Sequence, residues 1–131
     1  MKNIGEAVAK EVLSTGIVWT FAPTIAVPQN DLWGRTYEGY SEDPKLVAEF
    51  GKNFIIGLQG EGNSFLGSEK VLATAKHFLG DGGTDKGIDQ GDTIIDEKSL
   101  KEIHGYPYLS LIHISEPTRR YAISYAVFCL K

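Results

Sequence analysis

Residues 71–92, VLATAKHFLGDGGTDKGIDQGD, decide how the remainder of the chain is read. A short apolar run reaches Lys76 and His77 and opens at once into a loop with glycines at 80, 82, 83, 87 and 91 and aspartates at 81, 85, 89 and 92. This is the layout of a buried strand, Val71 to Lys76, emptying into a polar pocket. Two adjacent basic side chains at such a junction are costly unless they are solvated, paired or holding a ligand, so function is expected there first. A core histidine has no need of a lysine beside it at a strand end, which favours the ligand-binding reading of the pair.

Upstream, IVWTFAPTIAV (residues 17–27) is β-branched, aromatic and interrupted by Pro23, and predicts a second buried strand ending near Ala22. A long loop follows, PQNDLWGRTYEGYSED, closing at Asp43 and Pro44, the pattern of an N-cap with proline at the first helical position. Leu46, Phe50, Phe54 and Leu58 then recur every four residues, flanked by Val47 and Ile55, and predict a helix ended by Gly57 and Gly60. Ile4, Val8 and Val12 form a similar stripe, with Ala7 and Leu13 beside it, in a first helix that stops before Gly16. Asp96 can cap a last helix from Glu97 to about His104. The order helix, strand, helix, strand, helix, with strands that do not alternate, predicts an α/β fold built on parallel strands. Polar loops following both strands then place Arg35 and the Lys76–His77 pair at one pocket. Two such strands cannot close a sheet alone, so the chain is expected to be a slice of something larger.

The bulk properties narrow the partners. The chain has 131 residues, 42% of them hydrophobic, and a net charge of -4, which suits a globular core and disfavours nucleic acid as a partner. The lone Cys129 builds neither a disulfide framework nor a thiolate site, and no stretch is long and apolar enough for a membrane span. The segment after Met1 is charged and amphipathic, unlike a signal peptide, and leaves the localisation unknown.

Residues 109–131, LSLIHISEPTRRYAISYAVFCLK, differ abruptly in texture, with no glycine and one acidic residue. LSLIHISEPTR resembles the translation of a transposase adapter used in sequencing libraries, and ISYAVFCLK resembles the flow-cell adapter that follows a barcode. Residues 1–108 are accordingly expected to be the biological part and 109–131 a non-native tail. Removing Arg119, Arg120, Lys131 and Glu116 leaves the remainder more acidic still.

Several generic motifs fail. GEGNSF puts Phe65 where a dinucleotide fingerprint needs glycine, and Gly67 is followed by Ser68 and Glu69 rather than by the lysine and hydroxyl of a phosphate loop. The aspartates of 81–92 lack EF-hand spacing and read as a solvated acidic loop, and His77 and His104 lack a zinc spacing, so no metal is expected. Arg35 either pairs with Glu38 or Glu42 inside its own loop or binds a ligand. Trp33 and Tyr37 either stack on a ligand or anchor that loop.

The strings WTFAPTIAV, WGRTYEGYSEDP, GLQG and ATAKHFLGDGGTDKGIDQGD, with the helix ending at His104, Gly105 and Tyr106, resemble the N-terminal barrel domain of glycoside hydrolase family 3, the β-glucosidases and exo-acting glucan hydrolases. The resemblance covers essentially all of residues 1–108. It implies a partial (β/α)8 TIM barrel of about two βα units, no cofactor, and a β-glucoside or β-glucan oligosaccharide as substrate. It implies retaining hydrolysis by an aspartate nucleophile and a glutamate acid/base. Both lie downstream of Tyr108 in the family, so no catalytic residue is expected in this chain. The rest of the barrel and a second domain would be missing partners, together with a ligand-binding aspartate upstream of Met1, and the isolated fragment should be inactive. The family's sugar-binding arginine, lysine and histidine match Arg35, Lys76 and His77. Some members carry an acid where Gln90 stands, which makes Gln90 a possible loop contact.

Successive residues of a regular strand point to opposite faces, so Lys76 and His77 reach one sugar only if their peptide bond is cis. GIDQGD favours a glucosidase over a β-xylosidase or β-N-acetylhexosaminidase of the same family. A different alternative is a non-catalytic carbohydrate-binding protein. Family members are often periplasmic or secreted.

Overall fold

The structure is a computed structural model and describes residues 1–115. Residues 116–131, most of the expected tail, lie outside the described residues. Helix α1 (Lys2–Ser14) leads into an extended stretch over residues 17–27, and a loop carrying a 3₁₀ turn, Thr36–Glu38, leads to α2 (Pro44–Gln59). A second extended stretch over residues 71–76 opens into two 3₁₀ turns, Asp81–Gly83 and Asp85–Gly87. The last helix begins as α3 (Glu97–Ser99), widens into a π-helical Leu100–Gly105 and continues as α4 (Tyr106–Ser115). Among the described residues no helix is long and apolar enough to cross a membrane.

The two extended stretches run parallel, as expected, but no regular strand forms among the described residues. Pairing is confined to bridges at Trp19–Leu72 and Thr24–Lys76, five residues apart on one side and four on the other. The first stretch takes in one extra residue between them, and Pro23 within it has no N–H to donate. Hydrogen bonds still stitch the pair, from Thr20 N to Leu72 O at 2.8 Å, Thr74 N to Ala22 O at 2.9 Å and Ile25 N to Lys76 O at 2.6 Å. Ile25, Val27, Val71 and Ala73 face Val47, Phe54, Ile55 and Leu58 of α2 in one hydrophobic core, which also takes in Tyr108 and Leu111. Outside that core, Ile17, Val18, Trp19 and Phe21 are exposed, and Trp19 packs edge-on against Phe21.

Helix α2 begins as predicted. The Asp43 side chain accepts a hydrogen bond from Lys45 N at 2.8 Å, and Pro44 occupies the first turn. Its end is different, for Gly57 lies inside the helix and only Gly60, at φ 74°, terminates it. Gly57 is instead the point where α1 crosses. A methyl group on Gly57 would overlap the Lys2 carbonyl oxygen and stand 2.8 Å from the Gly5 Cα. This close approach turns Gly5 and Ala9 inward and leaves Ile4 54% exposed, whereas Val8, Val12 and Leu13 of the predicted stripe pack partly buried against the core. Leu46, expected in the stripe of α2, is likewise 41% exposed.

The last helix also departs from expectation by running past His104. Asp96 caps it, accepting from Ser99 N at 3.0 Å. Pro107 then stands fully buried within the helix. Its ring excludes the carbonyl four residues earlier and it offers no N–H, so the hydrogen-bond ladder widens to a π turn before resuming.

The crossing of α1 and α2 makes a direct prediction. Gly57→Ala should destabilise the protein by about 1–3 kcal/mol despite alanine's better helix propensity, because backbone rather than a movable side chain blocks the methyl. Thermal denaturation of the variant against wild type measures it, and an unchanged or higher midpoint would contradict the packing.

Candidate functional site

The pairing of the two extended stretches brings their loops out on the same side. Arg35 begins the 3₁₀ turn Thr36–Glu38, and that turn carries Glu38 round to its guanidinium. Arg35 Nε donates to Glu38 Oε1 at 2.7 Å and Nη2 donates to Glu38 Oε2 at 2.8 Å, a two-pronged carboxylate clamp. Thr24, on the first extended stretch, adds its hydroxyl to Glu38 Oε2 at 3.3 Å. Arg35 Nη2 also reaches His77 Nε2 at 2.7 Å, across 42 residues of sequence. On the far side of the imidazole, Nδ1 stands 3.9 Å from Asp81 Oδ2. The Lys76–His77 peptide is cis, as the sequence predicted, and so are Ala22–Pro23 and Phe78–Leu79.

Glycines hold the two loops together. A side chain on Gly82 would overlap the Val27 carbonyl oxygen, and Gly82 O accepts from Gln29 N at 2.8 Å. Gly87, at φ 69°, lies so close to Leu32 and Trp33 that a Cβ would stand 2.5 Å from their backbone. The expectation of a solvated acidic loop therefore holds for Asp85, Asp89 and Asp92 but not for Asp81, which is buried with Gly82. Among the described residues no group of histidine, cysteine, aspartate and glutamate is arranged to hold a metal ion.

Electrostatics assign roles within the cluster. Glu38 is held below the ordinary glutamate value of 4.5, first by the hydrogen bond from Arg35, against the opposing effect of burial, and then by the charges of Arg35 and Lys76 and the Thr24 hydroxyl. The Arg35 guanidinium is pushed up in turn by Glu38, with Asp81 and Asp89 adding to the field. Glu38 is thus an ionised anchor and not a proton donor at neutral pH. Arg35 Nη1 and Lys76 Nζ have no hydrogen-bond partner among the described residues. The cluster therefore presents basic donors on a rigid frame, suited to binding hydroxyl oxygens rather than to attacking a bond.

Of the residues singled out in the sequence, Arg35, Lys76 and His77 come together. The two readings of Arg35 turn out to be compatible, since pairing with Glu38 occupies one edge of the guanidinium and leaves Nη1. Gln90 is exposed, at φ 64°, with its side-chain amide 3.5 Å from Asp89. Trp33 is buried and anchors its loop, whereas Tyr37 is 84% exposed. His104 is buried against Gly83 with its pKa lowered by burial, and neither ring nitrogen is hydrogen-bonded among the described residues. Thr24 and Asp81 were missed. Only the folded register of Thr24 against Lys76 marks the first, and nothing local separates Asp81 from the other loop aspartates.

The depressed Glu38 carboxyl stabilises the fold above the ordinary glutamate value, and that contribution disappears as pH falls through the lower value in the folded state. The stability gap between wild type and Glu38→Gln should accordingly be widest near neutral pH and close as pH drops below about 4.5. Denaturation midpoints of both proteins from pH 7 to 3 test this, and a constant gap would contradict it.

Comparison with known proteins adds family context to this geometry. The model of the glycosyl hydrolase family 3 N-terminal domain matches residues 1–118. A β-xylosidase of Formosa agariphila is 36% identical over 109 residues, covering 82% of this chain and 15% of the relative. The exo-1,3/1,4-β-glucanase of a Pseudoalteromonas species is similar in structure with a TM-score of 0.81 at 56% identity, over 83% of this chain and 14% of that one. A mutant β-glucosidase of Listeria innocua, in complex with laminaribiose, gives a TM-score of 0.78 at 27% identity, over 86% of this chain and 16% of that one. The chain spans only 14–16% of the length of these proteins.

Proposed function

The chain belongs to glycosyl hydrolase family 3, and on that footing we propose that its full-length protein hydrolyses β-glucosidic O-glycosyl bonds with retention of configuration. Residues 1–108 form part of that protein's TIM-barrel domain and carry one side of its glucose subsite. The observation that carries the proposal is the convergence of Arg35, Lys76 and His77 at the exits of two parallel extended stretches, joined by the 2.7 Å contact between Arg35 and His77. The identity of 56% to an exo-1,3/1,4-β-glucanase supports a glucan or glucoside as the substrate class.

In this mechanism an aspartate outside the present chain attacks the anomeric carbon while a glutamic acid protonates the departing glycosidic oxygen. Water then attacks the glycosyl-enzyme ester, giving its proton to the same glutamate and freeing the aspartate. Arg35, Lys76 and His77 hold the non-reacting hydroxyls, and their contacts tighten as the ring distorts. The exposed apolar stretch Ile17–Phe21 agrees with a barrel whose neighbouring strands lie outside this chain. The β-xylosidase relative keeps a pentoside substrate as the second reading.

The full-length protein is expected to cleave aryl β-glucosides faster than aryl β-xylosides and to release β-glucose first, as followed by proton NMR. Initial release of α-glucose overturns the retaining mechanism, and faster xyloside cleavage favours the second reading. Arg35→Ala, Lys76→Ala and His77→Ala should each lower kcat/KM by roughly ten- to a hundredfold. Binding of glucosides without any turnover supports the non-catalytic alternative. Residues 1–131 alone should hydrolyse nothing, and detectable turnover by that purified fragment counts against its role as part of a site.

We also propose that residues 109–131 are adapter-derived. The composition shift supports it, although the family match continues to residue 118 across the apolar start of α4. Codons after Tyr108 that do not match adapter bases refute it.

A further inference from the structure

We propose that Glu38, seated by Thr24, is a positioning residue that orients Arg35 and, through Arg35, holds His77 as a neutral imidazole protonated on Nδ1. The functional consequence rests on the sugar-binding reading of the site, but the protonation state follows from the geometry alone. A guanidinium has only donors, so the 2.7 Å contact from Arg35 Nη2 requires His77 Nε2 to accept. An imidazole that accepts at Nε2 is neutral and carries its proton on Nδ1.

Competing charges around the ring are unequal in distance. Arg35 on the first loop opposes protonation of His77 at 2.7 Å, whereas Asp81 on the glycine-rich loop favours it from 3.9 Å, beyond ordinary hydrogen-bond length. Lys76 is the adjacent residue and adds positive charge, and Glu38 is screened from the ring by the guanidinium it clamps. Protonating His77 would set an N–H against the Arg35 N–H and break the contact.

This arrangement divides the work of binding a polyol. His77 Nε2 is committed to Arg35, so donation from the imidazole can come only from Nδ1, on the side of Asp81. Arg35 can move only by releasing Glu38, whose carboxylate takes both Nε and Nη2 and also the Thr24 hydroxyl. Glu38 touches no hydroxyl of the sugar itself and acts by keeping Nη1 aimed. A glutamine at this position replaces one accepting oxygen with a donor, which faces an Arg35 N–H and releases the guanidinium. His77 would then adopt the Nε2–H form preferred by an unconstrained neutral imidazole.

Two-bond proton–nitrogen correlation NMR on the full-length protein, with nitrogen-15 only in histidine, reads the tautomer directly, and His77→Asn identifies the signals of His77. Wild type should show a protonated Nδ1 and an unprotonated Nε2 at neutral pH. Glu38→Gln should shift His77 toward Nε2–H and lower kcat/KM on an aryl β-glucoside by roughly tenfold or more. Thr24→Val should move the tautomer in the same direction by a smaller amount, and it serves if Glu38→Gln does not fold. A wild-type His77 protonated on Nε2, or variants that fold and leave its tautomer unchanged, overturns the proposal. Nδ1–H in a protein that cleaves no glucoside upholds this inference and counts against the proposed hydrolase. Glucoside cleavage with Nε2–H does the reverse.

Discussion

A short parallel clasp at the ends of the two extended stretches governs everything built around it. Lys76 N donates to Pro23 O at 3.1 Å and Lys76 O accepts from Ile25 N at 2.6 Å, so one residue of the second stretch is held between two of the first. Buried backbone groups need partners, and these two bonds meet that need where both chains are about to turn into loops. Because the pairing is parallel, both loops leave on the same side. Every contact of the candidate site follows from that coincidence.

Packing turns the clasp into a rigid frame. Below it, Ile25 and Val71 join the core with α2, and buried Gln59 at the end of α2 accepts from Ala73 N at 2.9 Å, fastening the second stretch to the helix. Above it, glycines let the second loop lie directly on the backbone of the first, at Val27 and again at Leu32–Trp33. A side chain at Gly82 or Gly87 would separate the loops, and with them Arg35 from His77. The glycine-rich loop is therefore a close-packing device as much as a flexible connection.

Charge within the cluster is largely self-compensating. Its basic side chains stand beside a clamped glutamate and a buried aspartate, so the exposed basic atoms are few. Such a surface has little net charge to attract anions in bulk, in keeping with the chain's net acidity.

The features legible in the amino-acid string were local or repeated as a motif. The caps at Asp43 and Asp96 act over two or three residues, the apolar spacing of α2 is a helix period, and the Lys76–His77 junction with its glycine-rich exit is contiguous. Each of these interactions lies within one turn or one strand end, so residue order is enough to reveal it. Folding in three dimensions was needed to make Gly57 a helix crossing and not a stop, and to turn Gly5 rather than Ile4 inward on α1. It was needed equally to accommodate Pro107 in a continuous helix and to join Thr24, Glu38, Arg35 and His77 in one chain of contacts. These outcomes depend on which backbones approach most closely, and that is set by the packing of segments tens of residues apart.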